Sequence, residues 1–160
     1  MHRKQRPPGR NEEGFSLIEL MVVAMVIAVL IAVAVPVFTG FRVRAQDSAA
    51  KNTLDNAAKV GIVVMLDGEG FPAAAELAPV MASQEPRIVW ADAVTSSTGP
   101  RLVSIGEEGG GAGVVMAARS ESGRCYYLRI RWPGAISRHL VEAAPDCRAQ
   151  GYLEGSGAAW

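Results

Sequence analysis

The sequence predicts an α+β fold: one long N-terminal α-helix, with a membrane-spanning half and an amphipathic half, packed on a small antiparallel β-sheet. Three observations carry that prediction. Residues 15–38 are nearly all Val, Ile, Leu, Met and Ala. Residues 40–66 keep apolar positions at three- or four-residue intervals, the period of one helix face. From Arg87 onward the pattern changes to short runs separated by Gly, Ser, Thr and Pro, as in strands joined by turns.

The chain opens on a basic arm. Arg3, Lys4, Arg6 and Arg10 crowd residues 2–11 with no acid among them, and residues 15–38 then carry a single charge, Glu19. The totals balance, 16 basic against 16 acidic residues, so overall charge gives no pull toward nucleic acid. As a helix, residues 15–38 extend about 36 Å, enough to cross a bilayer core of about 30 Å. Arg42 and Arg44 follow the apolar stretch. The larger number of bases in front of it keeps the N-terminus cytoplasmic and sends the rest across.

Three readings compete for this segment. A secretory signal would be cut at a small-residue site such as Ala32-Val33-Ala34, but the stretch is long for a signal core and contains an acid. A plain signal anchor explains the length and leaves Glu19 without a purpose. A carboxylate inside a membrane helix costs roughly 2.5–3.5 kcal/mol on insertion scales. The third reading gives the acid a role.

Gly14-Phe15-Ser16-Leu17-Ile18-Glu19, followed by the unbroken apolar run, resembles the class III signal of type IV prepilins. The resemblance implies that a prepilin peptidase cuts after Gly14 and N-methylates Phe15, the new first residue. It also implies that Glu19 meets the N-terminal amine of a neighbouring subunit. An ion pair of that kind removes the penalty on a lone buried carboxylate. Glu12 and Glu13 stand just before the glycine, where many prepilins carry a base. Losing residues 1–14 removes four bases and two acids, leaving 12 and 14, a mildly acidic mature chain. Pro36 either ends a membrane helix or bends a longer one, as a proline about this far along does in many pilins.

The same resemblance sets the organisation: a cleaved leader at 1–14, a transmembrane or filament-core helix half at 15–39, an amphipathic half at 40–66 and a β-sheet headgroup at 67–160. It implies a structural subunit of a type IV pilus, held in the cytoplasmic membrane as a precursor and extracellular once assembled. The partners it implies are other pilin subunits in a homo-oligomeric filament, the prepilin peptidase, the pilus assembly platform and the cytoplasmic membrane. A pseudopilin of a type II secretion or competence system shares every N-terminal feature. A signal-anchored surface binding module is the alternative outside the family.

Along the amphipathic half, Ala50, Leu54, Ala57, Gly61 and Met65 mark the apolar face, while Lys51, Asp55 and Lys59 share another at four-residue spacing, where opposite charges support a helix. The pattern stops at Asp67-Gly68-Glu69-Gly70, read as a solvated turn rather than a calcium loop, since it lacks the ligand count of an EF-hand. Residues 73–83 form a short helix or loop interrupted by Pro79. Runs at 87–91, 101–105, 114–119 and 125–132 read as strands, with a hairpin turn at 120–123 and an edge strand at 137–141. In the fourth run Tyr126, Leu128, Ile130 and Trp132 fall on one face and Tyr127, Arg129 and Arg131 on the other, which puts the first set inside and the arginines outside.

Residues 45–50 (AQDSAA) with 52–54, and residues 122–127 (SGRCYY), resemble stretches in prepilins of high-GC Gram-positive bacteria. Cys125 and Cys147 form an even pair in a translocated segment, which favours one disulfide over two free thiols; pilins commonly close a C-terminal loop this way. No enzyme signature stands out. The glycine-rich residues 106–113 (GEEGGGAG) lack the Gly-Lys-Ser/Thr ending of a P-loop and read as a hairpin loop. His2 and His139 cannot make a zinc site without cysteines already assigned. Ser137, His139 and Asp146 carry no geometric information as a triad. Arg129, Arg131 and Arg138 with Tyr127 read as a solvated sheet face in preference to a DNA-binding patch. No catalysis, metal, cofactor or nucleic acid is expected.

Overall fold

The computed structural model describes residues 14–141 and 145–154, so the leader expected at 1–14 lies outside it except for Gly14. The chain divides into two compact units, Met1–Gly40 and Phe41–Trp160. Helix α1 (Leu17–Asp67) contributes its first part to one and its second part to the other.

In the first unit the helix starts just after Ser16, whose backbone N–H donates to Glu19 Oε2 at 3.0 Å. That is one half of a capping box, in which the side chain three residues in satisfies an orphan amide of the first turn. The helix continues through Pro36, and Thr39 Oγ1 donates to the Pro36 carbonyl at 2.9 Å. Residues 14–40 are all exposed. An apolar helix that buries nothing in its own chain but satisfies its backbone internally is what a lipid environment requires. Among the described residues, α1 is the one helix long and apolar enough to cross a membrane, with a mean hydropathy of 3.1 in its most apolar window.

The second unit holds the sheet. Helix α2 (Ala74–Gln84) follows α1, then β1 (Val89–Ala91), β2 (Leu102–Glu108), β3 (Gly113–Arg119), β4 (Cys125–Arg131) and β5 (Ala135–Val141), and a 3₁₀ turn at Ala149–Glu154. The strands lie in the order β1-β2-β3-β4-β5. Ala50, Leu54, Ala57, Gly61 and Met65 are buried along one stripe of α1. They pack with Leu77 and Met81 of α2 on Val103, Ile105, Met116, Tyr126, Leu128 and Ile130 of the sheet. The α+β architecture expected from the patterning is therefore the one observed.

Several details differ from the sequence reading. The sheet is not wholly antiparallel: β1 pairs parallel to β2, with Val89 opposite Leu102, because residues 92–101 carry the chain back before the next strand. Ser104 Oγ donates to the Asp92 carbonyl at 2.9 Å and pins that return. Pro79 does not interrupt α2, which is held on both sides of it by buried Leu77 and Met81. β2 runs on through Glu108, so only residues 109–112 form the loop, and Gly109, Gly110 and Gly111 there all have positive φ. Trp132 is 52% exposed rather than buried, since β4 ends at Arg131 and Trp132 belongs to the turn. Tyr127 is buried instead of exposed, within a second cluster that includes Val115, Ala117, Cys125, Cys147 and Ala149, with Tyr152 packed against it. The C-terminal segment thus covers the sheet face that alternation assigns to solvent.

Candidate functional site

The residues expected from the sequence to carry chemistry in the first unit lie at the start of its described part. Gly14, Phe15 and Ser16 precede the first helical residue, Leu17. The Gly14–Phe15 bond therefore sits in non-helical chain, and a Cβ built on Gly14 would meet nothing within 4 Å. Phe15 is 83% exposed. Glu19, one turn into the helix, is exposed and turned back toward the Ser16 amide. Its charge also lies at the positive end of the helix dipole.

In the second unit the structure brings together residues far apart in sequence. Asp47, on α1, is 6% exposed. Its Oδ1 accepts from Ser120 Oγ at 2.8 Å and from Ser122 Oγ, and its Oδ2 from Arg124 Nη1 at 2.6 Å. Burial pushes the Asp47 carboxyl up, but the hydrogen bonds from Ser122, Ser120 and Arg124 outweigh it and hold the group below its ordinary value. The turn is shaped for this: the Ser122 N–H donates to Ser120 Oγ at 3.1 Å, and the Gly123 N–H to the Ser120 carbonyl at 3.0 Å. Asp47 was absent from the sequence-derived sites, although the spacing 47, 50, 54 places it on the apolar stripe. Its partners come from the 122–127 stretch and the turn just before it, so segments about 75 residues apart in the chain meet here.

Cys125 and Cys147 form a disulfide with Cα atoms 5.5 Å apart. Both are fully buried, and the bridge ties the C-terminal segment to β4. Tyr152 continues that contact, its ring 5.6 Å from Tyr127 and 5.0 Å from His139. Burial raises the Tyr127 hydroxyl above its ordinary value.

The arginines of the sheet are engaged within the chain. Arg129 and Arg131 both bind Glu108, the latter at 2.8 Å. Arg129, then Arg131, hold that carboxyl below its ordinary value. Arg138 pairs with Asp55 on α1 at 2.9 Å. Arg129 and Arg131 share one face of the sheet with Glu108, whereas Arg138, opposite Leu128 in the register, lies on the other face toward α1. The three arginines thus form two separate sets of internal ion pairs. Among the described residues no group of three or more His, Cys, Asp or Glu converges as metal ligands.

Set against known families, residues 9–35 match the prokaryotic N-terminal methylation motif. No curated protein and no solved structure matches the chain. The matched segment contains the Gly14–Phe15 bond, Glu19 and most of the apolar run.

Proposed function

Starting from a chain that carries the type IV prepilin signal and fits a type IV pilin-like, membrane-anchored precursor, we propose that it is a structural subunit of a type IV pilus. In this reading a prepilin peptidase cleaves after Gly14 and methylates the amine of Phe15. The subunit then leaves the bilayer and packs its apolar helix among like helices in a filament core, with the sheet domain outward. Association without water relies on close contact, which the small residues of the run allow. Pro36 loosens the helix in that packing.

The observation that carries the proposal is Glu19, a carboxylate that is the single charge in the apolar run 15–38 and lies inside the matched motif. An intramembrane acid is functional by default. The Ser16 amide satisfies one of its oxygens within the subunit, and the positive amine that cleavage exposes on a neighbour supplies the charge it lacks. Partners on this reading are other copies of the chain, the peptidase and the assembly platform.

Mass spectrometry of the mature N-terminus tests the processing step. Methylated Phe15 is the expected first residue, and a chain beginning at Val35 or retaining its leader would sink the proposal. The Glu19→Ala variant is expected to be cleaved normally yet fail to enter filaments. Electron microscopy of sheared surface material separates a pilus subunit from a pseudopilin, which shares the signal but builds no extended surface fibre.

A further inference from the structure

Helix α1 ends against its own electrostatics. Its last residue is Asp67, its last turn holds no base, and Glu69 follows. The negative end of a helix dipole favours cations and disfavours acids. Glu69 also holds a φ of 53°, a left-handed conformation that glycine adopts with less strain. Both acids are exposed, and neither has an ion-pair partner within the described residues. Among the described residues no ion pair compensates this end.

The opposite sign stands uncompensated at the start of the second unit. Arg42 and Arg44 are exposed and, among the described residues, likewise without an ion pair. Exposed apolar side chains accompany each charged group: Phe41 and Val43 beside the arginines, Val63 and Leu66 beside the acids. Arg44 lies 23 residues before Asp67. On an α-helix that is about 35 Å along the axis and about 140° around it.

We propose that this stretch of α1 is a head-to-tail contact between copies of the chain, with Asp67 of one copy paired to Arg44 of the next, shifted by about 35 Å along a parallel helix. The angle matters. A two-fold contact uses one patch on both partners, whereas two different patches on widely separated sides of a helix give a heterologous contact. The axial step of about 35 Å keeps it from closing into a ring, so it propagates. The arginine supplies the cation that the helix end lacks, and the flanking apolar side chains exclude water around the pair. Exposed ion pairs add little affinity but fix register, so the pair sets the axial step of the assembly. The inference rests on the filament reading above and adds to it the headgroup-side contact that orders the subunits.

The test uses the full-length chain expressed with its processing machinery. Asp67→Arg and Arg44→Asp are each expected to lower filament yield about tenfold or more, because each puts like charges together, with leader removal unchanged. The double exchange is expected to restore assembly. Independently, Arg44→Cys combined with Asp67→Cys is expected to give a ladder of disulfide-linked multimers when intact filaments are oxidised. Wild-type yield from both single reversals, or no ladder from filaments that do form, overturns this contact and leaves the pilus reading standing. A processed wild-type chain that builds no filament overturns both, and Glu19→Ala, which leaves residues 44 and 67 untouched, keeps the two failures apart.

Discussion

Asp47 is an acid placed among apolar residues on the buried stripe of α1, and its cost is met by three donors on the β3–β4 turn. Removing the acceptor strands those donors, and hydrogen bonds to a charged group are worth about 1.5–3 kcal/mol each. Because Arg124 is partly exposed and reaches water once freed, Asp47→Ala is expected to lower stability by about 2–3 kcal/mol, measured by denaturant unfolding of the oxidised protein. A loss below about 0.5 kcal/mol, the usual range for surface changes, would show that the turn finds other partners. The sign of the pH dependence follows from the depressed carboxyl. Its folded pKa lies below its unfolded value of about 3.9, so its contribution is complete above that value and disappears as pH falls through the folded pKa. Glu108, held down by Arg129 and Arg131, acts in the same direction. The melting temperature of the wild type is therefore expected to fall more steeply from about pH 5 to pH 2 than that of Asp47→Asn. Parallel curves would refute the assignment.

At the scale of elements, two glycines separate close approach by backbone from close approach by flexible side chains. A Cβ on Gly113, the first residue of β3, would stand 2.8 Å from the carbonyl oxygen of Ile130 in the neighbouring strand. That atom belongs to the ladder and cannot withdraw without breaking it. A Cβ on Gly61 of α1 would meet the ends of Met116 and Ile130 at 3.0 and 3.1 Å, groups that can shift. Alanine in mid-helix also gains about 1 kcal/mol over glycine. Gly113→Ala is thus expected to cost about 1–3 kcal/mol and Gly61→Ala distinctly less, with paired melting curves deciding the order. The C-terminal segment is an element of another kind, secured by a covalent ring that spans a sequence separation of 22. Loop entropy values such a ring at about 3 kcal/mol. A Cys125→Ser/Cys147→Ser protein is expected to lose about that much and to expose Tyr127, read as increased solvent quenching of tyrosine fluorescence.

The whole molecule separates two solvents along one chain. The described core, with α2 and all five strands, lies in the Phe41–Trp160 unit, while residues 14–40 bury nothing. A fragment beginning at Phe41 is expected to be soluble and to unfold cooperatively, whereas the intact chain needs detergent or lipid. A fragment lacking a cooperative transition in calorimetry would mean that the first unit contributes to folding.

The sequence alone determined whatever is local or periodic. The Gly14–Phe15 signal, the acid at Glu19 and the apolar run are contiguous, and the stripe from Ala50 to Met65 repeats at helical spacing, so each is legible from neighbours a few residues away. Strand positions were legible for the same reason, as alternation broken by turn residues. Only the tertiary structure decided the parallel pairing of β1, the burial of Tyr127, the exposure of Trp132 and the internal pairing of Arg129, Arg131 and Arg138. Each of those depends on what covers a face or meets a charge, and the covering group comes from elsewhere in the chain: Cys147 and Tyr152 over β4, Asp55 beside Arg138, Ser120 to Arg124 around Asp47. Periodicity tells which side chains share a face. It carries no information about which face water reaches, because that is settled by segments folding back from a distance in sequence.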